Sequence, residues 1–375
     1  MFSPVETPFS TGSHTMPSMQ GTESTSAPGN LIDCLVNQTL ITRVSSSSLA
    51  SITATLADLE SLIELSYERY TYTMNDADGT NPDKDATITP DDMRRLRRAA
   101  VPWLVKVVAG EWAITHENED AGGDQEEVME RAANLMAHMS GRSGSGAMTR
   151  TWYFPAPPGD INNSNIAVRI HEPGVVGDDI GFKTWGAAPM LAKKIAQTNL
   201  IPNLHTHDLL ELGTGTGLVG LLCAKLGARS VTLSDYHPNV LATVSRNVQE
   251  NAFSAPLVTV SKLDWRDINS PSSLPGGTYD VLVGSDLLYE IEHGRLLPRV
   301  VERFLARGAR RDTGAGAFHF MAPLRRTHWE EVRVFEEEMT RHGFVSVCTE
   351  ESEREEEEGG VMTYRYWEWR RGCEV

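Results

Sequence analysis

Apolar residues in the first third of the chain recur at the spacing of an amphipathic helix. From Leu31 to about Tyr72, leucine, isoleucine, valine and alanine stand three or four residues apart, as Leu56, Leu59 and Leu62 do. That spacing places them on one face of a helix. The sequence therefore predicts an amphipathic helical segment here.

Two more helices are predicted before residue 140. Thr89 precedes Pro90 and two aspartates, which is the pattern of a helix start with Thr89 as its cap. A further helical pattern covers residues 125–139, and the Gly/Ser run that follows it is typical of a linker. We therefore expect a helical N-terminal region over residues 31–139 and a linker over residues 140–149.

Beyond the linker, short apolar runs alternate with helical patterns, which predicts an α/β domain over residues 150–375 with a doubly wound, mostly parallel sheet. The predicted strands are Trp152–Phe154, Ile166–Ile170, Asp208–Leu212, Ser230–Ser234, Leu257–Lys262, Tyr279–Gly284, Phe318–Ala322, Phe344–Cys348 and Met362–Trp369. The predicted helices are Ala187–Gln197, Leu218–Leu226, Pro238–Asn251, Glu292–Arg307 and Trp329–His342.

The last two predicted strands are joined by Thr349–Gly360, which leaves no room for a crossover helix. A hairpin return fits this length better, so we expect one antiparallel strand at an edge of the sheet. The acidic run Glu350–Glu358 is interpreted as a solvated loop.

Composition restricts the class of protein. The chain has 375 residues, of which 40% are apolar and 23% charged, as in a globular protein with a sizeable core. Residues 1–30 are rich in Ser, Thr, Pro, Met and Gly, which predicts disorder, and they lack the features of a secretory signal. No apolar run has the roughly 18 residues that a membrane span needs, so no membrane partner is expected.

Net charge and cysteine usage restrict the expected binding partners and the expected cellular compartment. The net charge of -17 argues against affinity for a nucleic-acid backbone, which needs clustered Lys and Arg. Four scattered cysteines without a CxxC pair are typical of a reducing, intracellular compartment. We therefore expect a cytoplasmic protein.

The segment Glu211–Gly220, ELGTGTGLVG, joins a predicted strand to a predicted helix. Glycines let the chain turn tightly and let a ligand approach the main chain, and the helix start offers free N–H groups. Asp235 ends the next strand, 22 residues after Gly213, where a carboxylate accepts hydrogen bonds from both ribose hydroxyls. The pattern predicts a nucleoside cofactor. Residues 215–220 also satisfy GxGxxG, so NAD and S-adenosylmethionine both stay open.

Three further features accompany the glycine turn. Asp264 and Trp265 follow the third of these strands, where the carboxylate is expected to accept the adenine amino group and the indole to cover the adenine ring. The segment Gly284–Tyr289, GSDLLY, stands at the end of the fourth strand. Upstream of the turn, the segment Lys183–Ala188, KTWGAA, leads into a helix.

These motifs, KTWGAA, ELGTGTG, LDW and the DxxY element Asp286–Tyr289, resemble in order and spacing the family-16 lysine methyltransferases of the seven-strand class. The resemblance covers about residues 150–372. The segment from Glu172-Pro173-Gly174 to Trp185, with the long helical N-terminal extension, is similar to the fungal methyltransferases that modify translation elongation factor 2. The resemblance implies a seven-stranded Rossmann-like methyltransferase fold, S-adenosylmethionine as cofactor, and a protein lysine as acceptor, with elongation factor 2 as a candidate substrate.

The resemblance also implies roles for particular residues. Asp286 and Tyr289 would be the catalytic residues that line the substrate end of the site. The family often has Ala or Cys where this chain has Ser285, and a small residue is retained. The residues implied to contact S-adenosylmethionine are Trp185, Gly213, Thr214, Gly215, Asp235, Trp265 and Ser285.

The chemistry limits these roles. A methyl sulfonium is already activated, so its transfer depends on positioning. A neutral lysine at pH 7 costs about 4–5 kcal/mol from a reference pKa near 10.4, and a carboxylate with a reference pKa of about 3.9 is too weak a base to remove that proton. We expect Asp286 to hold and aim the amine while the proton leaves to water, and Tyr289 to offer its ring face to the cationic nitrogen. A helix cap for Asp286 and rim packing for Tyr289 are the structural alternatives.

Other functions stay open. The glycine pattern with Asp235 also fits an NAD-dependent oxidoreductase, although no hydride-transfer motif accompanies it. A small-molecule N-methyltransferase is a further alternative, because the cleft residues do not indicate whether the substrate is a small molecule or a protein. Nucleic-acid amine methyltransferases usually carry [DNS]PP[YF] where this chain has SDLLY, so no nucleic-acid partner is expected.

Three expectations complete the prediction. His205 and His207 lack carboxylate or cysteine partners at ligand spacing, so we expect surface histidines and no metal site. The N-terminal helical region is expected to contribute to substrate selection, because the remainder already contains a whole fold. Nothing in the sequence indicates an obligate dimer, so a monomer is expected.

Overall fold

The structure is a computed structural model that describes residues 28–70, 88, 90–112, 122–139, 147–155, 165–174, 183–253, 257–268, 274, 277–307, 314–355 and 361–372. The predicted disorder over residues 1–30 lies outside the described residues except at its last three positions, which are helical. The predicted cap Thr89 and most of the predicted linker, residues 140–146, also lie outside them.

Helices build the described part of the N-terminal region: α1 (Pro28–Cys34), α2 (Leu49–Tyr70), α3 (Pro90–Val108) and α4 (Gly122–Met139). The start of α3 at Pro90 confirms the prediction. The start of α1 was placed too late by the sequence, at Leu31, and that of α4 too late at Gln125. Short polar and glycine residues at these helix starts carry no apolar periodicity, so the pattern alone misses the first turn.

The N-terminal helices have a core of their own. Leu59 of α2 and Leu96 and Trp103 of α3 are buried in it. Arg131 of α4 donates two hydrogen bonds to the carboxylate of Glu60 on α2, at 3.0 and 2.8 Å. Apolar burial and this bidentate pair hold α4 against α2.

A two-stranded antiparallel hairpin, β1 (Met148–Phe154) and β2 (Ile166–Glu172), follows the N-terminal helices. Trp152 of β1 and Ile170 of β2 are buried in the same core as residues of the large sheet. β1 also contacts α2, while β2 contacts the helices that cover the sheet. The hairpin therefore packs against both parts of the chain.

Seven strands among the described residues form one sheet, as the sequence comparison implied. The strands are β3 (Asp208–Leu212), β4 (Ser230–Asp235), β5 (Val258–Lys262), β6 (Val281–Ser285), β7 (Ala317–Pro323), β8 (Phe344–Glu355) and β9 (Val361–Arg371). The helices that cover the sheet are α5 (Ala187–Thr198), α6 (Leu218–Lys225), α7 (Pro238–Glu250), α8 (Ile291–Phe304) and α9 (Trp329–Arg341). The order is β5-β4-β3-β6-β7-β9-β8, and β3 to β7 pair in parallel. The chain changes direction across the sheet between β3 and β6, and ligands of doubly wound sheets bind at the strand ends there.

The predicted hairpin of the last two strands is confirmed, because β8 and β9 pair antiparallel. The expectation that the antiparallel strand lies at an edge of the sheet is wrong. β9 is the antiparallel strand, but it pairs with both β7 and β8 and lies inside the sheet. Its side chains explain this position, because Tyr364 and Tyr366 are buried in one core layer and Trp367 and Trp369 in the other. A strand with two apolar faces needs cover on both sides.

The acidic run does not form a loop over its first part. β8 extends to Glu355, so residues 350–355 are strand, while residues 356–358 lie outside the described residues. β8 is one of the two edge strands of the sheet. Two of its glutamates are paired with neighbours: Glu351 accepts hydrogen bonds from Arg365 of β9, and Glu350 from Lys194 of α5. Charged side chains are common on edge strands because they discourage further pairing.

Candidate active site

A cavity of about 690 Å³ opens at the carboxyl ends of β3, β4 and β6. Gly213 follows β3, Asp235 ends β4 and Ser285 ends β6, so the parallel sheet brings residues from distant parts of the sequence to one edge. The predicted site residues that line the cavity are Trp185, Gly213, Gly215, Asp235, Trp265, Ser285, Asp286 and Tyr289. Thr214 is the one predicted site residue that does not line it.

The glycine turn forms the floor of the cavity beside β3. Gly213, Gly215 and Gly217 have φ values of 55°, 54° and 87°, in the left-handed region that favours glycine. A Cβ atom on Gly213 would overlap the side chain of Leu287 and stand 3.6 Å from the ring of Trp265. The turn therefore requires glycine at this position for both its backbone conformation and its space.

Thr214 stabilises the glycine turn through a hydrogen bond to a buried carboxylate. Its hydroxyl donates a hydrogen bond to Glu211 Oε2 at 2.6 Å, and the backbone N–H of Gly220 donates to the same oxygen at 3.1 Å. Burial raises the pKa of Glu211 to about 7, although these two hydrogen bonds favour its ionised form. Glu211 ties both ends of the turn together, a role that the sequence analysis missed.

Asp235 faces the glycine turn from the end of β4. Its carboxylate accepts hydrogen bonds from the backbone N–H groups of His237 at 3.1 Å and Gly215 at 3.4 Å. Burial raises the pKa of Asp235, while the backbone hydrogen bonds oppose that rise. The carboxylate is thus fixed in direction beside the turn, where a ribose is expected.

The segment that follows β5 contributes an aromatic wall to the cavity. Trp265 lines the cavity, and its ring meets that of His293 edge to face, with centroids 5.8 Å apart. Asp264 accepts two hydrogen bonds from the guanidinium of Arg266, at 2.9 and 2.8 Å, and this pairing lowers the pKa of Asp264. The carboxylate that was expected to accept the adenine amino group therefore already has a cationic partner.

Asp286 follows β6, which lies on the other side of β3 from β4 and β5 in the sheet. Its side chain is 6% exposed, its φ is 58°, and its backbone N–H donates to Met321 O of β7 at 2.9 Å. The guanidinium of Arg325 contacts Asp286 Oδ1 at 3.2 Å. α8 begins at Ile291 with Glu290 at the N-cap position, so the alternative of Asp286 as the cap of this helix is wrong.

Tyr289 and His293 form the side wall next to Asp286. Their rings lie 4.3 Å apart, and both line the cavity. Burial raises the pKa of Tyr289 to about 12, so its phenol stays protonated and acts as a ring and a donor rather than as a base. Burial lowers the pKa of His293. The sequence analysis missed His293 and Arg325. The rings of Trp265 and Tyr289 both contact the ring of His293 edge to face.

The histidine prediction is wrong in one half. His205 is exposed, but His207 is 3% exposed, with Nε2 3.0 Å from Pro202 O. Within the described residues, no cluster of three or more His, Cys, Asp or Glu side chains has the arrangement of a metal site. None of the described helices is both long and apolar enough to cross a bilayer.

The cavity fits S-adenosylmethionine. Gly213 and Gly215 present main chain without a side chain to the cavity, Asp235 offers a fixed carboxylate for ribose hydroxyls, and Trp265 offers a ring face for adenine. Asp286, which the sequence places at the substrate end, lines the same cavity.

Comparisons with known proteins agree. A family model described as lysine methyltransferase matches residues 162–310. The protein-lysine N-methyltransferase rrg1 of Schizosaccharomyces pombe is 31% identical over 280 residues, 72% of this chain and 84% of that protein. EFM2 of Saccharomyces cerevisiae is 25% identical over 272 residues, 66% of this chain and 61% of that protein. Human EEF2KMT is 35% identical over 138 residues, 34% of this chain and 41% of that protein.

The seven-stranded sheet and its cofactor cavity define a Rossmann-like methyltransferase that uses S-adenosylmethionine. Within that class, the chain belongs to the lysine methyltransferase family. The proteins matched give no support to an NAD-dependent oxidoreductase or to a small-molecule N-methyltransferase.

Proposed function

We propose that this protein transfers methyl groups to a lysine of elongation factor 2 in the cytoplasm. The relatives are named protein-lysine N-methyltransferases, and one group of them carries the name EEF2KMT. The match with rrg1 covers 72% of the chain, a larger share than residues 150–375 make up, so it includes part of the helical N-terminal region. This extended match supports a shared kind of substrate rather than a shared cofactor alone.

At the cofactor end, Asp235 would bind the ribose hydroxyls and Trp265 would cover the adenine. Gly213 and Gly215 would let the methionine part approach the main chain, with Trp185 and Ser285 on the flanks. Thr214 would act through Glu211, which its hydroxyl contacts at 2.6 Å, rather than through its own side chain on the ligand. When bound, S-adenosylmethionine supplies a methyl group on a positively charged sulfur.

At the substrate end, Asp286 would hold the lysine amine and aim its lone pair into the cavity. Its buried carboxylate at the end of β6 carries this proposal, because it faces the same cavity as Asp235 and the glycine turn. Tyr289 would contribute its ring to the wall that the methylated nitrogen contacts. With a pKa of about 12, Tyr289 is not a base at neutral pH, so the lysine proton would leave to water.

The helical N-terminal region would select the substrate protein, and the enzyme would act as a monomer. β1 contacts α2, so the N-terminal region packs on the hairpin that leads towards Trp185. One chain supplies the turn, the carboxylates and the aromatic wall around one cavity. Removal of residues 1–144 should therefore reduce methylation of the protein substrate more than binding of S-adenosylhomocysteine.

Calorimetric titration with S-adenosylhomocysteine, and with NAD in parallel, tests the cofactor. Binding of the first alone is expected, and Asp235→Ala should weaken it by about 100-fold through loss of two charge-assisted hydrogen bonds. Asp267→Ala is the matched control, because Asp267 is exposed and does not line the cavity.

The substrate is then tested with the enzyme and radiolabelled S-adenosylmethionine, incubated with purified fungal elongation factor 2 and, in parallel, with a cell extract. Label in a lysine-containing peptide is expected. Label only in other proteins of a cell extract would reject elongation factor 2, and label in no protein would reject the proposed activity.

A further inference from the structure

Arg325 is the one arginine of the described residues that contacts Asp286 in the cavity. It follows β7, and the pairing of Ser285 with Met321 brings the segments after β6 and β7 side by side. The guanidinium lies 3.2 Å from Asp286 Oδ1 and 5.9 Å from the ring centroid of Trp185. The Arg325 side chain is 29% exposed and that of Asp286 is 6% exposed. The buried carboxylate is therefore in contact with a partly exposed guanidinium.

Other titratable groups surround the place where an amine would meet Asp286. Those from the segment after β6 and from α8 are Tyr289, Glu290, Glu292 and His293, and His328 follows Arg325. Those from the cofactor end are Asp235, Tyr236, His237, Asp264 and Arg266, of which Asp264 and Arg266 pair with each other. Arg325 is thus a cation in direct contact with the carboxylate of Asp286.

We propose that Arg325 is a positioning residue: it fixes the carboxylate of Asp286 for the substrate lysine and, through its positive charge, favours the uncharged amine over the ammonium ion. The inference rests on the proposed function. A carboxylate without a cationic partner would bind the ammonium form of lysine and hold it in the unreactive state. A carboxylate that Arg325 already neutralises keeps lone pairs for an N–H donor, because each of its oxygens accepts more than one hydrogen bond.

The proton and electron balance is simple. The lysine ammonium loses one proton to water and becomes the neutral amine. The nitrogen lone pair then forms the bond to the methyl carbon, and the carbon–sulfur electron pair stays on sulfur. A cation near the amine lowers the lysine pKa and so makes the first step easier.

The test measures kcat for elongation factor 2 between pH 7 and 10 in Arg325→Met and Arg325→Lys. The pH dependence of kcat reports groups in the enzyme–substrate complex, and this range lies above the reference pKa of histidine. Arg325→Met should lower kcat at pH 7, lower or keep KM, and move the rise of kcat upward by about one pH unit. Arg325→Lys should restore the wild-type midpoint. Arg326→Met, an exposed neighbour outside the cavity, should match the wild type.

A second measurement needs no turnover and no protein substrate. n-Butylamine, the side chain of lysine as a free molecule, is an ammonium ion at pH 7. Ligand-observed NMR should find that it binds Arg325→Met about tenfold more tightly than the wild type when both hold S-adenosylhomocysteine.

The two measurements separate the possible failures. A wild type that methylates no protein lysine would overturn the proposed function. A wild type that does so, with an Arg325→Met variant that loses kcat equally at every pH and binds n-butylamine as the wild type does, would overturn the role of Arg325 alone.

Discussion

The carboxylate of Glu172 accepts a hydrogen bond from the backbone N–H of Thr184, at 3.1 Å. The Thr184 hydroxyl lies 2.8 Å from that of Thr216 in the glycine turn, and Glu172 Oε2 stands 3.8 Å from buried Arg150 of β1. This chain of contacts joins the hairpin to the cofactor turn and holds the segment that presents Trp185. Glu172 is the first residue of the Glu-Pro-Gly motif, and the contacts give that motif a physical role.

Replacement of Glu172 tests this connection. Glu172→Ala should lower the free energy of unfolding in urea by about 1–3 kcal/mol, because it leaves a buried N–H without its acceptor. It should also weaken binding of S-adenosylhomocysteine, whereas Glu172→Gln keeps an acceptor oxygen and should lose less of both. The surface residue Glu330 is the control, and its alanine variant should stay within about 0.5 kcal/mol of the wild type. Lower stability with unchanged ligand affinity would mean that the connection serves folding only.

Alanine variants of two glycines distinguish the effect of backbone strain from the effect of a steric clash. Gly213 and Gly227 both have positive φ, but a Cβ on Gly227 meets nothing within 4 Å, while one on Gly213 overlaps Leu287. Gly227→Ala should therefore cost only the left-handed strain of about 1–2 kcal/mol and bind S-adenosylhomocysteine normally. Gly213→Ala should lower the free energy of unfolding by more than Gly227→Ala does, as measured by thermal or urea unfolding. It should also abolish binding of S-adenosylhomocysteine in calorimetry. Equal effects of the two variants would contradict the close approach at Gly213.

The roles of the two cavity ends are separable at Asp286. Asp286→Ala should abolish methyl transfer while the calorimetric affinity for S-adenosylhomocysteine stays nearly intact, because Asp286 is not among the residues expected to contact the cofactor. Asp267→Ala, at an exposed position, should keep both properties. Loss of transfer and of affinity to the same extent would reject this division.

Stability should depend on pH through Glu211. Its pKa is about 7 in the folded protein against an ordinary value of 4.5, so the folded state binds the proton more tightly than the unfolded state. The stabilisation from this group is complete below about pH 4.5 and is lost as pH rises to 7, a change on the order of 3 kcal/mol.

Urea unfolding of the wild type and Glu211→Gln at pH 5 and pH 8 measures this effect. The variant should gain stability relative to the wild type between the two pH values. Glu330→Gln corrects for general charge effects, and a difference between wild type and Glu211→Gln that is the same at both pH values would refute the prediction.

Local patterns predicted the strands that carry the cofactor end of the site. β3 and the start of α6 were predicted to the residue, and β4 to within one residue, because each strand carries apolar residues and ends next to a glycine turn or at aspartate. The prediction of Asp235 and the glycines as neighbours needed only the parallel order of β3 and β4. The register of these strands brings them together.

Features that depend on packing between distant segments were missed. Arg325 stands 39 residues after Asp286, and only the pairing of β6 with β7 brings the two together. The interior position of β9 follows from burial of its aromatic residues on both faces, which a short strand pattern does not separate from an edge strand. The strand over residues 350–355 was missed because its glutamates are stabilised by partners on other elements, such as Arg365 and Lys194.

The position of β9 also sets an order of events during synthesis. β8 leaves the ribosome before β9, but it pairs with the sheet only through β9. A nascent chain that has reached Glu355 therefore exposes one edge of β7 and an unpaired acidic strand, and the aromatic side chains that fill both core layers have not yet been made. The negative charge along β8 disfavours pairing of this strand with another chain before β9 has been synthesised. The same glutamates make the strand hard to recognise in the sequence.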